Sequence, residues 1–496
     1  MKLKRYLWIF FTLSIIGGCE SLEDTYSDYA GEGTIRYLGK CKDLSVSPGW
    51  QRLIVTWTNH VDPAIDKIKI SWTLDGVTQD SLLDKECTEC NIPNLENGTY
   101  EVAVYSVDKN GNCSLPVLTY ERPYTLNHEN VLSFTRIFDK YFYVKNRLAL
   151  IFNEWQSNVE TASLNYYSGG QLKVQELDST FITDNKYYLL PDEIDPNTKV
   201  TINRSGRLLG CSDLIVFNPY ELTREHKIYT PDFKRLIREK YGVSEITETF
   251  ISSISELEID YNLHSFEDIL NLPNLTRLIL GKNRYLNEEY VDNYKNASQV
   301  SDLESSIFAL NVAHEVYGLK VQRYNEHFIP DGELSFIENL PNPSLPNNLV
   351  YLNSPNWQYS CSNEDYGDGF EVLFDENSTT GWQPQAHSLS NMYEFVVDMQ
   401  ENRMVNGVQI TQKSIRPGNT YEKCIASKIQ IKVSTDQQNW QDATHVMENT
   451  LGNTSGENTI IKFPSSKNVR YVKFIINDLP YNSIRYTISL GKIKLF

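Results

Sequence analysis

The chain has 496 residues, roughly three to four times a typical domain, which excludes a single core. Hydrophobic residues make up 40% and charged residues 22%, with a mean hydropathy of −0.42, which excludes a polytopic membrane protein and a disordered chain. A net charge of −18 and a pI near 5.0 remove the cationic footprint that nucleic-acid binding requires, so no nucleic-acid partner is expected.

Lys2, Lys4 and Arg5 precede a short apolar stretch that runs from Leu7 to Ile16. About ten residues cannot span ~30 Å of hydrocarbon, so this is a leader and not a membrane helix. It ends in Ile16-Gly17-Gly18-Cys19. Small residues before such a Cys resemble the bacterial lipobox, which implies a signal peptide over 1–18, cleavage before Cys19 and diacylation of its sulfur. Glu20, Glu23 and Asp24 open an acidic linker over 19–34. They resemble the export signal of Bacteroidetes lipoproteins, which implies a lipid anchor in the outer membrane facing the cell exterior. A plain acidic linker would look the same.

Residues 35–123 alternate with period two: Leu53, Val55, Trp57; Ile68, Ile70, Trp72; Tyr100, Val102, Val104, Ser106. This predicts half-buried strands of a sandwich. Leu95-Glu96-Asn97-Gly98-Thr99-Tyr100 resembles the corner of fibronectin type III domains, where a Tyr hydroxyl ties back to the backbone. Residues 33–37, the Pro48-Gly49 turn, the step from Trp57 to Asp62-Pro63 and an aspartate-glycine turn resemble a Bacteroidetes domain of unknown function that follows the anchor of surface lipoproteins. Cys41, Cys87, Cys90 and Cys113 share this segment, and in an exported chain they read as structural bridges with three pairings open. Cys211 is the natural odd thiol. Residues 124–222 read as a second sandwich without a chemical motif.

Residues 225–349 change character. Ile254-Ser255-Glu256-Leu257-Glu258-Ile259-Asp260-Tyr261-Asn262 fits L-x-x-L-x-L-x-x-N, and Leu275 to Asn283 fits it again 21 residues later. Val316, Leu319, Val321 and Tyr324 form a third, partial match. These resemble leucine-rich repeats, which implies a short parallel sheet whose Asn residues bond the loops. Helical patterns over 232–241 and 301–317 flank them.

Residues 351–496 carry Phe374-Asp375-Glu376-Asn377-Ser378-Thr379-Thr380-Gly381-Trp382, similar to the signature of the coagulation factor 5/8 type C (discoidin) family. Val396 to Met399, Val405 to Ile410, Lys428 to Trp440 and Val469 to Phe474 resemble its following strands. The resemblance implies a jelly roll with Trp382 and Trp440 inside it, and carbohydrate or phospholipid as ligand. It also implies a structural calcium at Asp375 and Thr380. The expected Glu falls on Lys492, however, and an ammonium cannot ligate a hard dication. A vestigial calcium loop is therefore expected, with Lys492 paired to Asp375 and no metal or other cofactor.

Sugars present C–H faces and fans of hydroxyls, so a site needs an aromatic platform with amide, imidazole or guanidinium groups. The loops expected at the ligand end carry Gln383, Gln385, His387, Arg416, Asn419, Tyr421, Tyr481 and Tyr486. With 13 Lys+Arg against 15 Asp+Glu, residues 351–496 carry no basic run that would attract phospholipid. His314-Glu315 lacks the second His of a zinc protease, and neither G-x-S-x-G nor a Walker sequence occurs.

The expected fold is multidomain and mainly β: two Ig- or fibronectin-like sandwiches, a small α/β leucine-rich-repeat-like unit over 225–349, and a discoidin jelly roll over 351–496. The expected function is a non-catalytic surface glycan-binding lipoprotein of a polysaccharide utilisation system, partnered by a transporter and glycosidases. The alternatives are an adhesin for host protein and a glycoside hydrolase with an unrecognised site.

Overall fold

The computed structural model describes residues 37–134, 136–287, 289, 298–362, 369–377, 380–416 and 418–496. The leader, Cys19 and the acidic linker lie outside them, as do Ser378 and Thr379. Sheets dominate the chain, and it forms two compact units.

The first unit comprises Met1–Ile137, Trp155–Ala162 and Asn203–Pro219. A three-stranded sheet (Lys42–Gly49, Arg52–Thr58, Glu89–Ile92) accompanies a four-stranded one (Ile65–Leu74, Val77–Asp84, Tyr100–Asp108, Val117–Glu121). Leu53, Val55, Ile68, Ile70, Val102 and Val104 are fully buried between them. The two-residue Asp75-Gly76 turn has positive φ at both positions, as a hairpin between right-twisted strands requires. The Tyr100 hydroxyl accepts the Glu96 N–H at 3.0 Å, the corner expected from the sequence.

The disulfide expectation is not met. Cys41, Cys87, Cys90 and Cys113 carry free thiols, as does Cys211. Cys41 is instead a core residue, its sulfur 3.6 Å from the Ser106 hydroxyl, while Cys113 is exposed in a loop. The stretch 124–222 contains two sheets, and its strands are divided between the two units.

The second unit comprises Phe138–Glu154, Ser163–Ile202 and Tyr220–Phe496. Glu256–Ile259, Arg277–Leu280, Lys320–Tyr324 and Ile337–Leu340 form a parallel sheet in chain order. Leu257, Leu278 and Val321 stand in register and are buried, so the sequence period becomes a stacked core. Helices Pro231–Tyr241 and Leu303–Tyr317 pack on it. Thr230 and Asp302 cap their N-termini, and Gly242 and Gly318 close them in the left-handed region. Val316 belongs to the second helix and not to a repeat strand. Asn262 accepts the Gln299 N–H at 2.9 Å, as a repeat Asn should, but Asn283 donates to Glu258 and Asp260 instead.

The jelly roll of the same unit is built on two 20-residue strands, Met392–Thr411 and Asn458–Asn477, which pair antiparallel. Trp382 is 2% exposed and sets its edge against Tyr393 and Phe395 at 4.9 and 5.1 Å. Trp440 departs from expectation. It is half-buried outside the core, donates its indole N–H to the Gln437 carbonyl, and lies under the Lys473 ammonium at 4.3 Å.

Candidate functional site

Two ladders bring the loops of the jelly roll together. Trp382 and His387 exchange backbone hydrogen bonds with Leu490 and Tyr486, while Ser489 bonds to Cys424 and accepts from Ala426. The segment 486–490 therefore holds the loop after Trp382 on one side and the loop before Ala426 on the other. A hairpin, Leu479–Asn482 with Arg485–Thr487, completes the end.

Tyr421 lies in the 3-10 turn Thr420–Cys424, which Asn419 caps by accepting the Tyr421 N–H at 3.0 Å. Its ring stacks on Tyr481 of the hairpin, centroids 4.9 Å apart and planes 18° from parallel. The Tyr421 hydroxyl, donating to that of Tyr481, has its pKa raised by this bond. Thr420 Oγ1 lies 3.3 Å from the Tyr481 hydroxyl, and the Lys423 ammonium sits 5.7 Å from the Tyr481 ring centre. The result is a stacked, half-exposed aromatic platform, the surface on which an apolar C–H face can rest.

The other candidates divide. Gln385, Arg416 and Asn419 are exposed, Asn419 next to Tyr421 in the capped turn, and Tyr486 is half-buried in the hairpin. Gln383 accepts the Lys413 ammonium at 3.2 Å. His387 does not serve as an open hydroxyl ligand. Its ring is inward, with Nε2 2.9 Å from the Tyr393 hydroxyl and 3.3 Å from Asp478, and Nδ1 on the Leu389 carbonyl. Asp478 in turn accepts from Ser390 and the Asn391 N–H. His387 thus positions the loop. Lys413, Thr420, Lys423 and Arg485 were not singled out from the sequence, because isolated polar residues in loops carry no pattern until a neighbour is known.

The Lys492 ammonium, 4% exposed, donates to Asp375, to the Val372 carbonyl and to Thr380 Oγ1. Burial works against the Asp375 carboxylate, but hydrogen bonds from Lys492, the Asn377 N–H and Thr380 outweigh it and lower the pKa. These donors do not fit a dication, because a cation already holds the carboxylate. Among the described residues no group of three His, Cys, Asp or Glu could hold a metal ion.

Residues 358–489 match the F5/8 type C domain model, and the C-terminal module is a discoidin-type domain. Residues 19–189 match a family described as a domain of unknown function, which extends well past residue 123. No curated protein matches the chain. Among solved structures, an F5/8 type C domain from Bacteroides fragilis is 19% identical, covering 30% of this chain and 97% of its own (TM-score 0.24). The module CBM32-3 from a family 31 glycoside hydrolase of Clostridium perfringens is 17% identical, covering 29% and 94% (TM-score 0.24). A two-domain fibronectin type III segment of chicken tenascin is 16% identical, covering 37% and 100% (TM-score 0.19).

Proposed function

We propose that this is a non-catalytic glycan-binding lipoprotein of the bacterial outer surface, capturing polysaccharide for a utilisation system whose transporter and glycosidases act with it. The observation that carries the reading is the Tyr421–Tyr481 stack, its Tyr421 in a turn capped by Asn419, at the loop end of a discoidin-type domain whose loops also carry exposed Gln385 and Arg416. Rigid tyrosines offer a sugar ring large contact at small entropic cost, and the amides and guanidinium bond its hydroxyls. The lipobox ending in Cys19 supports the anchor. Among the described residues no helix is long and apolar enough to cross a membrane.

The acid pair that best invites a hydrolytic reading is Glu267 and Asp268. Burial raises the Asp268 pKa to about 6, as in a general acid. Both residues are nevertheless shut from solvent, Glu267 paired with Lys140 and Ser305, and Asp268 with Thr230. They hold the parallel-sheet core together. A glycan array with the full chain tests the proposal: binding supports it, and capture of host protein with no glycan bound would replace it with an adhesin. Turnover of a chromogenic glycoside would overturn the non-catalytic reading.

A further inference from the structure

Six of the 13 basic residues in 351–496 are neutralised by carboxylates. Arg403, Lys428, Lys432, Arg470, Lys473 and Lys492 pair with Glu401, Glu448, Asp442, Asp398, Glu394 and Asp375. Among the described residues, Lys462, Lys467 and Lys494 on the strands have no such partner, and neither do the cations of the platform loops. Lys413, Arg416, Lys423 and Arg485 all lie in them or in the hairpin beside them, and among the described residues no carboxylate lies within ion-pair distance of any of the four. The acid inside the same turn, Glu422, accepts the Gly418 N–H.

Exposed cations commonly go unpaired at no cost, so Arg416 and Arg485 alone would carry little. Lys413 is different. It is half-buried, its side-chain partner is the neutral Gln383 amide, and burial lowers its pKa with no charged neighbour to offset this. An ammonium held out of water with only a dipole for company gains most from an incoming anion. Lys423 is fixed over the same ring that would carry the sugar.

We propose that this face selects acidic glycans, a sugar ring resting on the Tyr421–Tyr481 platform with its carboxylate or sulfate groups on Lys413, Arg416, Lys423 and Arg485. The inference rests on the glycan-binding reading above and adds the substrate class to it. Arg416 supplies the planar fork that suits either anion, and the near-neutral charge of residues 351–496 leaves the local cations to decide, since more distant charge is screened beyond about 10 Å.

Affinity electrophoresis of the full chain tests this with matched pairs: polygalacturonate against its fully methyl-esterified form, and dextran sulfate against dextran. Retention on one or both acidic polymers should exceed that on the neutral partner by roughly tenfold or more, and fall between about 50 and 300 mM NaCl. Which pair shows the difference separates carboxylate from sulfate. R416Q/K423Q/R485Q should reduce retention to the neutral level with an unchanged melting temperature, and Y421A should weaken it too. Equal retention on charged and neutral partners would overturn the acidic selectivity and leave glycan binding standing. Retention on no glycan would overturn both. Equal binding of duplex DNA, insensitive to Y421A, would reduce the face to a simple ion exchanger and overturn the inference.

Discussion

Arg284 and Glu457, 173 residues apart in the chain, form a two-pronged ion pair with side chains 1% and 0% exposed. Arg284 lies just beyond the second parallel strand, and Glu457 just before a long strand of the jelly roll. The neighbouring Tyr285 and Asn458 add a backbone bridge. Glu457 also accepts the Thr454 N–H, and Arg284 donates to the Asp260 carbonyl and Ser298. The discoidin-type module is thereby joined to the parallel-sheet segment within one unit.

Removing one partner should be costly, because the other charge stays buried. E457Q and R284M should each destabilise the second unit by about 3–5 kcal/mol, and replacing both by apolar residues should cost clearly less than the sum. Urea unfolding of the full chain reads this. Additive losses would show that the two charges do not act as a pair.

His327 sets a pH dependence for the same region. Its ring is fully buried, with Nδ1 accepting the Ser298 N–H at 2.7 Å. Burial, then repulsion by Arg284 and Arg323, depresses its pKa to about 3. The unfolded chain takes up a proton near pH 6.5 that the folded chain refuses, so this contribution is present above about pH 6.5 and lost as pH falls towards 3. Asp268, raised to about 6, works in the opposite sense and gains stability as pH falls through that value. The comparison must therefore be with a variant. Relative to H327Q, the wild type should lose about 1.4 kcal/mol per unit below pH 6.5. Parallel stability curves for the two proteins would contradict a neutral buried His327.

The calcium loop gives a third test. With Lys492 bonded to Asp375 and Thr380, chelator should leave the melting temperature of the wild type unchanged. K492E should restore a carboxylate and make stability depend on added calcium, by about 2.7 kcal/mol at a hundredfold excess over Kd. A chelator-induced drop in the wild type would show that the ion binds despite the lysine.

Anchoring concerns Cys19, outside the described residues. C19A should release the protein from the membrane fraction, since acyl chains hold at about 0.8 kcal/mol per buried CH₂. Fractionation of cells checks this, and undiminished membrane association would refute the lipobox reading. Degradation by protease added to intact cells would support an outward orientation.

What the sequence made legible was local periodicity. Leu53, Val55 and Trp57 alternate because one sheet face is buried, and Leu257 and Leu278 repeat because parallel strands stack them. Lys492 was readable because one misplaced charge conflicts with a family's chemistry. The strand Ile337–Leu340 was not, since its sequence Ile-Glu-Asn-Leu is only partly buried at a sheet edge and shows no apolar pattern. The inward turn of His387 depends on Asp478 and Tyr393, and the unpaired state of Lys413 depends on where distant carboxylates fall. Such facts are properties of the fold and not of a motif.

Tyr421 and Arg416 together should decide glycan capture. The platform is open and half-exposed, so a single site gains little apolar burial and affinity should be weak, strengthened on polymers by repeated engagement. Truncating Tyr421 removes one ring of the stack, worth about 0.5–1.5 kcal/mol beyond area, and exposes the other. Truncating Arg416 removes the fork. Neither side chain belongs to the jelly-roll core, so the melting temperature of R416A/Y421A should stay within a few degrees of wild type. Retention on any glycan that binds the wild type should disappear. H387A should lose both retention and stability, because its ring ties Tyr393 and the Leu389 carbonyl to the loop. Full retention by R416A/Y421A, with H387A folding and binding normally, would place the glycan elsewhere on the protein.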